Sequence, residues 1–119
     1  VETRQAIISF AQSEKIKSGL IWCSQCADLA HNLPTPEQIG AMRLVQSLVG
    51  MILSEAQLAR QASGDVIWLE AERAINTARV MIDSGVGHEV VYHFTQALSQ
   101  VNRIGQKAMS ELIAKGLIS

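Results

Sequence analysis

The last third of the chain carries two apolar seams side by side. Val90, Phe94, Ala97, Val101, Ile104 and Ala108 recur in alternating steps of four and three, and Val91, Phe94, Leu98, Val101, Gly105, Ala108 and Leu112 do the same one position over. That spacing fits a helix of about 3.6 residues per turn and conflicts with a strand, whose side chains alternate with a period of two. One seam serves one neighbour. Two adjacent seams require the helix to pack against two neighbours at once. The segment before it repeats the design, with Ile67, Ala71, Ala74, Ala78 and Met81 beside Trp68, Ile75 and Ile82, and with Glu70, Glu72, Arg73, Asn76, Arg79 and Asp83 as a solvated back.

Three breaks and a terminal glycine divide the chain. In "HNLPTPEQ", Thr35 is placed to cap a helix, Pro36 suits its first turn and Gln38 stands where a capping box closes. In "ASGD", Gly64 ends one helix and Asp65 caps the next. In "SGVG", Gly85 stops a helix and Gly87 frees the next entry, and Gly116 ends the last. Four helices are therefore predicted, roughly 3–31, 36–62, 65–84 and 88–115, with ends uncertain by about 2–4 residues. Short connections make neighbours antiparallel. The predicted fold is an all-α, up-down-up-down four-helix bundle formed by a single domain, residues 1–119.

Composition agrees. Ala, Ile, Leu, Val and Gln dominate and there are two prolines, a mixture with little entropic cost in helices. A net charge of −1 with no basic run argues against a nucleic-acid partner. No signal peptide is visible, and the longest unbroken apolar run, "LVGMIL", is far too short to span a bilayer, so no membrane role is expected. Two cysteines suit a reducing cytoplasm better than a disulfide scaffold. The chain opens on Val1 rather than methionine, which leaves room for residues upstream.

The second helix breaks the pattern. Leu44, Val45, Leu48, Val49, Met51, Ile52, Leu53, Ala56, Leu58 and Ala59 cover most of its circumference, and its narrow polar strip is mostly uncharged. Met51 and Leu58 lie roughly 100–120° around from Val45 and Ile52. One stripe serves the intrachain core and the other needs a cover, so self-association is expected, with a two-fold dimer favoured and an unidentified protein partner as the other possibility. The expected interface is Leu44, Ser47, Gly50, Met51, Ser54 and Leu58, the small residues allowing close approach. Gly19, Gly40, Gly50 and Gly105 read as close-approach positions. Glu55, on the apolar side of this helix, is expected to be a buried charge that is specifically satisfied.

Chemistry is concentrated in "LIWCSQCADLAHN". Cys23 and Cys26 share a helical face with Ile16, Gly19, Leu20, Ala27 and Ala30, so both thiols are expected to point into the bundle as small hydrophobes. A structural zinc wants four ligands, and no second Cys pair exists. His31 is a poor third ligand, roughly a turn and a half from Cys26. The pair also sits near a helix C-terminus, where the dipole raises rather than lowers a thiol pKa. "HEVVYH" holds His88, Glu89 and His93, but its histidines are five apart rather than the four of a zinc-protease helix. Glu89 and His93 share a face and read as a surface pair. The Glu-x-x-His pattern of di-iron bundles is absent.

No nucleophile, base and oxyanion donor are identified together, so an enzyme is not expected and no cofactor is called for. The expected function is a non-enzymatic, self-associating interaction or assembly protein. The alternatives are a metal- or thiol-active bundle using Cys23 and Cys26 with His31, and a sensor holding an apolar ligand between helices near Trp22 and Trp68.

Overall fold

A computed structural model describes residues 2–84 and 87–118, and side chains within them outside the stretch 83–89. It is a four-helix bundle: α1 Thr3–His31, α2 Thr35–Ser63, α3 Trp68–Ser84 and α4 Gly87–Ala114. Each helix packs on two neighbours, α1 on α2 and α4, and α3 on α2 and α4, which is the antiparallel ring that the doubled seams demand. Expectations about Gly85, and about Glu89 as a surface partner of His93, fall outside the described residues and side chains.

The core is built from the inward seam of every helix. Ile16, Leu20 and Cys23 come from α1, Val45, Val49, Ala56 and Ala59 from α2, Trp68, Ala71 and Ile75 from α3, and Phe94, Ala97, Val101 and Ile104 from α4. Trp68 is fully buried and spans the diagonal of the ring. Its Nε1 donates to Ser9 Oγ on α1 at 3.3 Å, so the one polar atom of the indole is satisfied where an unpaired donor would cost about 1–3 kcal/mol. Among the described residues no buried side-chain nitrogen or oxygen lacks a partner.

The helix ends follow backbone chemistry, with two departures from the sequence reading. Gly64 adopts φ +70° and its N–H reaches the Arg60 carbonyl, closing α2. Gly116, at φ +73°, closes α4 through the N–H of Leu117 on the Leu112 carbonyl. These are left-handed positions that glycine reaches without a Cβ clash. Thr35, however, is inside α2 rather than its cap. Pro34 occupies the cap position with no side-chain cap bond, and Gln38 donates from Nε2 to the His31 carbonyl at 2.6 Å, tying the start of α2 to the end of α1. The capping box does not form because Gln38 has found that carbonyl. Asp65 does accept the Ile67 N–H at 3.0 Å, but it holds a turn. The helix itself begins at Trp68.

The glycines also divide. A Cβ at Gly19 would lie 3.2 Å from Ile52 Cδ1, and one at Gly105 would lie 2.7 Å from Ser13 Oγ. These two are the close approaches of α1 to α2 and to α4. Gly40 and Gly50 are not, since nothing lies within 4 Å of a Cβ at either.

The helices differ in length. α3 has 17 residues, against 29 in α1 and α2 and 28 in α4. The Arg60–Glu72 ion pair, at 2.5 Å, sets the register of α2 against α3. Counting along both helices from that pair brings the end of α3 level with Leu48, so the first dozen or so residues of α2 have no α3 beside them.

Two substitutions separate the glycines. Gly40→Ala is expected to stabilise by about 0.5–1 kcal/mol, the ordinary helical gain. Gly105→Ala is expected to destabilise by about 1–2 kcal/mol through overpacking on Ser13, with most of the loss recovered in a Ser13→Ala background. Urea unfolding of wild type, the three single variants and the Ser13→Ala, Gly105→Ala double variant checks both.

Candidate functional site

The outer face of the α1/α2 pair is the part of the molecule that the bundle leaves unfinished. On α2 the residues pointing away from the core are Leu44, Leu48, Met51, Glu55 and Leu58, again in steps of four and three. Leu44 is 69% exposed, Met51 64% and Leu58 52%. On α1 the matching row is Lys15, Gly19, Trp22, Cys26 and Leu29, with Trp22 67% and Leu29 71% exposed. Ser47 and Ser54 are exposed beside the α2 row, and Gly50 is half-buried. Ser54 donates to the Gly50 carbonyl at 3.2 Å. The sequence expectation names interface residues on α2 alone, with either the partner's α2 or its α1 across from them; the residues that α1 contributes are not named. The same four-and-three spacing in α1 was the available signal, obscured there by Lys15 and Gly19.

Between the two rows runs an apolar groove of about 340 Å³. Trp22, Leu48 and Met51 form its walls, Ile16, Gly19, Cys23 and Ile52 its floor, and Lys15 and Glu55 one end. Its depth comes from Gly19, where the missing side chain lets Ile52 approach α1.

Glu55 is not a buried charge. Its side chain is 32% exposed, and it accepts from Lys15 Nζ at 2.8 Å and from Gln12 Nε2 at 3.4 Å. The hydrogen bond from Lys15 holds its carboxyl below the usual range, against a smaller opposing effect of desolvation. The helical phase places Glu55 beside Leu48 and Met51 as read. That face is open to solvent instead of enclosed, which is why a charge is tolerated there.

The thiols part company. Cys23 is buried and Cys26 is exposed, although both line the groove. Three residues span about 300° of helix, which leaves the two side chains about 60° apart. That angle takes Cys26 over the rim of the α1–α2 contact. Burial, and to a lesser degree the neighbouring Cys26, pushes the Cys23 thiol up to about 11. His31 lines a separate pocket with Ser24, Asp28, Met42, Val90 and Phe94, so the fold does not bring it to the cysteines. Among the described residues no three His, Cys, Asp or Glu side chains gather where they could hold one metal ion. His93 meets the Tyr92 ring edge-on, with centroids 5.2 Å apart. Trp22 and Trp68 do not share a ligand site, the first standing in solvent and the second sealed in the core.

The α2 helix as a whole, Thr35–Ser63, is long and apolar enough to cross a bilayer by length and composition, a property its short unbroken runs conceal. Only 17% of its most apolar stretch is buried by the rest of the chain. No family model, curated protein or solved structure matches the chain.

In dilute native protein a thiol reagent is expected to modify Cys26 quickly and Cys23 slowly, with the Cys23 rate rising as pH climbs toward about 11. Denaturant removes the difference. The Lys15–Glu55 pair contributes stability at pH above the ordinary Glu55 value of 4.5. That contribution is lost as pH falls through the lower folded-state value. For a surface pair it is about 0.2–1 kcal/mol, so Glu55→Gln is expected to cost no more than this at pH 7, measured by urea unfolding.

Proposed function

We propose that the protein is a non-enzymatic, self-associating helical-bundle module, an interaction or assembly unit whose contact surface is the outer face of α1 and α2. The observation that carries this reading is the continuous exposed stripe of Leu44, Leu48, Met51 and Leu58, widened across the groove by Trp22 and Leu29. Single exposed apolar residues are ordinary, but contiguous patches of this kind on soluble proteins mark places where something docks.

The magnitudes support association. Fully burying a large apolar side chain contributes about 1.5–3 kcal/mol. Six such residues, already partly covered, bring a gross gain on the order of 10 kcal/mol over two copies. The cost of association is of similar size, about 4–15 kcal/mol, which puts the equilibrium where concentration matters. A cytoplasmic location belongs to this reading, since the exposed Cys26 thiol persists best in a reducing compartment.

A second reading has its own observation: the groove beside Trp22 has the size and apolar lining of a small-molecule site. It is the weaker of the two. A ligand in the groove would leave Leu44, Leu58 and Leu29 in water, whereas a protein surface covers them all.

Sedimentation equilibrium at micromolar concentration is expected to find a dimer. Met51→Lys and Leu58→Lys are each expected to weaken it at least tenfold with helicity by circular dichroism unchanged. A wild-type protein that stays monomeric through this range ends the proposal.

A further inference from the structure

Resting on the self-association reading, we infer that the second copy binds about a two-fold axis crossing α1 between Gly19 and Trp22 and α2 at Met51, so that α2 lies antiparallel on its own copy and each Trp22 seats in the partner's groove.

Two features of the face locate this axis independently. The first is a knob and a hole. Trp22 projects from α1, and one turn away Gly19 puts no side chain into the groove floor it shares with Ile52. A two-fold axis midway between them sends each knob into the other copy's hole. The second is the spacing along α2. Leu44 and Leu58 each stand seven residues from Met51, and Ser47 and Glu55 each stand four. Pairing about Met51 therefore sets Leu44 against the partner's Leu58 and brings Ser47 level with the partner's Glu55, on the opposite edge of the seam. The two locations agree to about one residue, roughly 1.5 Å of helical rise. The Lys15–Glu55 bond and the Gly19–Ile52 approach put the middle of the Gly19–Trp22 turn level with Gly50, next to Met51.

Charge selects the direction. A parallel pair would set Glu55 beside the partner's Glu55 in an apolar seam, a like-charge contact that disfavours it. The antiparallel pair separates the two carboxylates by about 12 Å, eight residues of helical rise. Charge also favours a second copy over a lipid surface. Lys15 is paired with Glu55, and the flank of α2 carries two cations, Arg43 and an Arg60 already paired with Glu72, whereas interfacial helices carry Lys and Arg all along the polar flank.

The size is sufficient. About Met51 the apolar stripe meets itself from Leu44 to Leu58, about 21 Å, and α2 overlaps its copy for about 30 Å or more, from Ile39 to Ser63; two adjacent helices are about 20 Å wide. The flat footprint is then about 600 Å² per copy, or about 1,200 Å² in total, the lower end of specific interfaces.

Cysteine cross-linking in a Cys23→Ala, Cys26→Ala background tests the axis, with sedimentation equilibrium on the same proteins. The expected pattern is a dimer in which Met51→Cys protein cross-links to itself. Leu44→Cys and Leu58→Cys proteins cross-link when mixed and not alone. Trp22→Ala is expected to raise the dissociation constant about 30-fold or more, as an anchoring aromatic does, while wild-type Trp22 emission shifts to the blue as concentration rises. Self-linking of the Leu44→Cys protein would overturn the antiparallel axis and leave self-association standing. So would a dimer with no cross-links, or one indifferent to Trp22→Ala. A monomer in sedimentation, with or without flotation on phosphatidylcholine–phosphatidylglycerol vesicles, would overturn both.

Discussion

In a square ring of four helices each helix is covered on two sides only. Any helix with apolar residues over more than those two sides is left with surface that its own chain cannot reach. This constraint organises the molecule. α3 and α4 come closer to it, with seams toward two neighbours and, beyond them, mostly polar backs that expose Val80 on α3 and Val91, Tyr92, Met109 and Ile113 on α4. α1 and α2 exceed it. Their inward residues, Leu20, Cys23, Val45 and Val49, complete the core, while Trp22, Leu29, Leu44 and Met51 stay about two-thirds exposed.

The surplus is enlarged by the shortness of α3. With 17 residues beside the 29 of α2, it stops before the N-terminal part of α2. Leu44 and Ile39 lie in that part and are well exposed. Core formation and surface exposure are thus coupled through helix length. The α2–α3 register held by Arg60 and Glu72 decides which end of α2 goes uncovered. At the other end, the diagonal Trp68–Ser9 contact closes the ring. The molecule is therefore tightly packed along one diagonal and open along one face.

The groove is a product of the same packing. Gly19 admits Ile52, and the helices settle close enough to make a narrow cleft floored by core residues. The Lys15–Glu55 pair caps one end and neutralises the charges of the face. A neutral, apolar surface needs no charged partner to cover it.

The helical class, the four segments and the glycine stops at Gly64 and Gly116 were legible because they depend on local chemistry: periodicity near 3.6, proline spacing and left-handed caps. The surplus of apolar residues on α2 was legible for the same reason, since counting residues around a helix needs no knowledge of its neighbours. Depth was not legible. Cys23 and Cys26 share a face on a helical wheel, yet an angle of about 60° puts one under the rim and the other over it. Glu55 reads as buried until its face is seen to be the open one. Gly19 and Gly50 look alike in sequence, and only packing brings Ile52 to the first and leaves the second facing open space. The sequence by itself determined which residues share a side of each helix. The tertiary structure decided which of those sides is covered, because cover depends on the lengths and registers of other helices, which no single helix encodes.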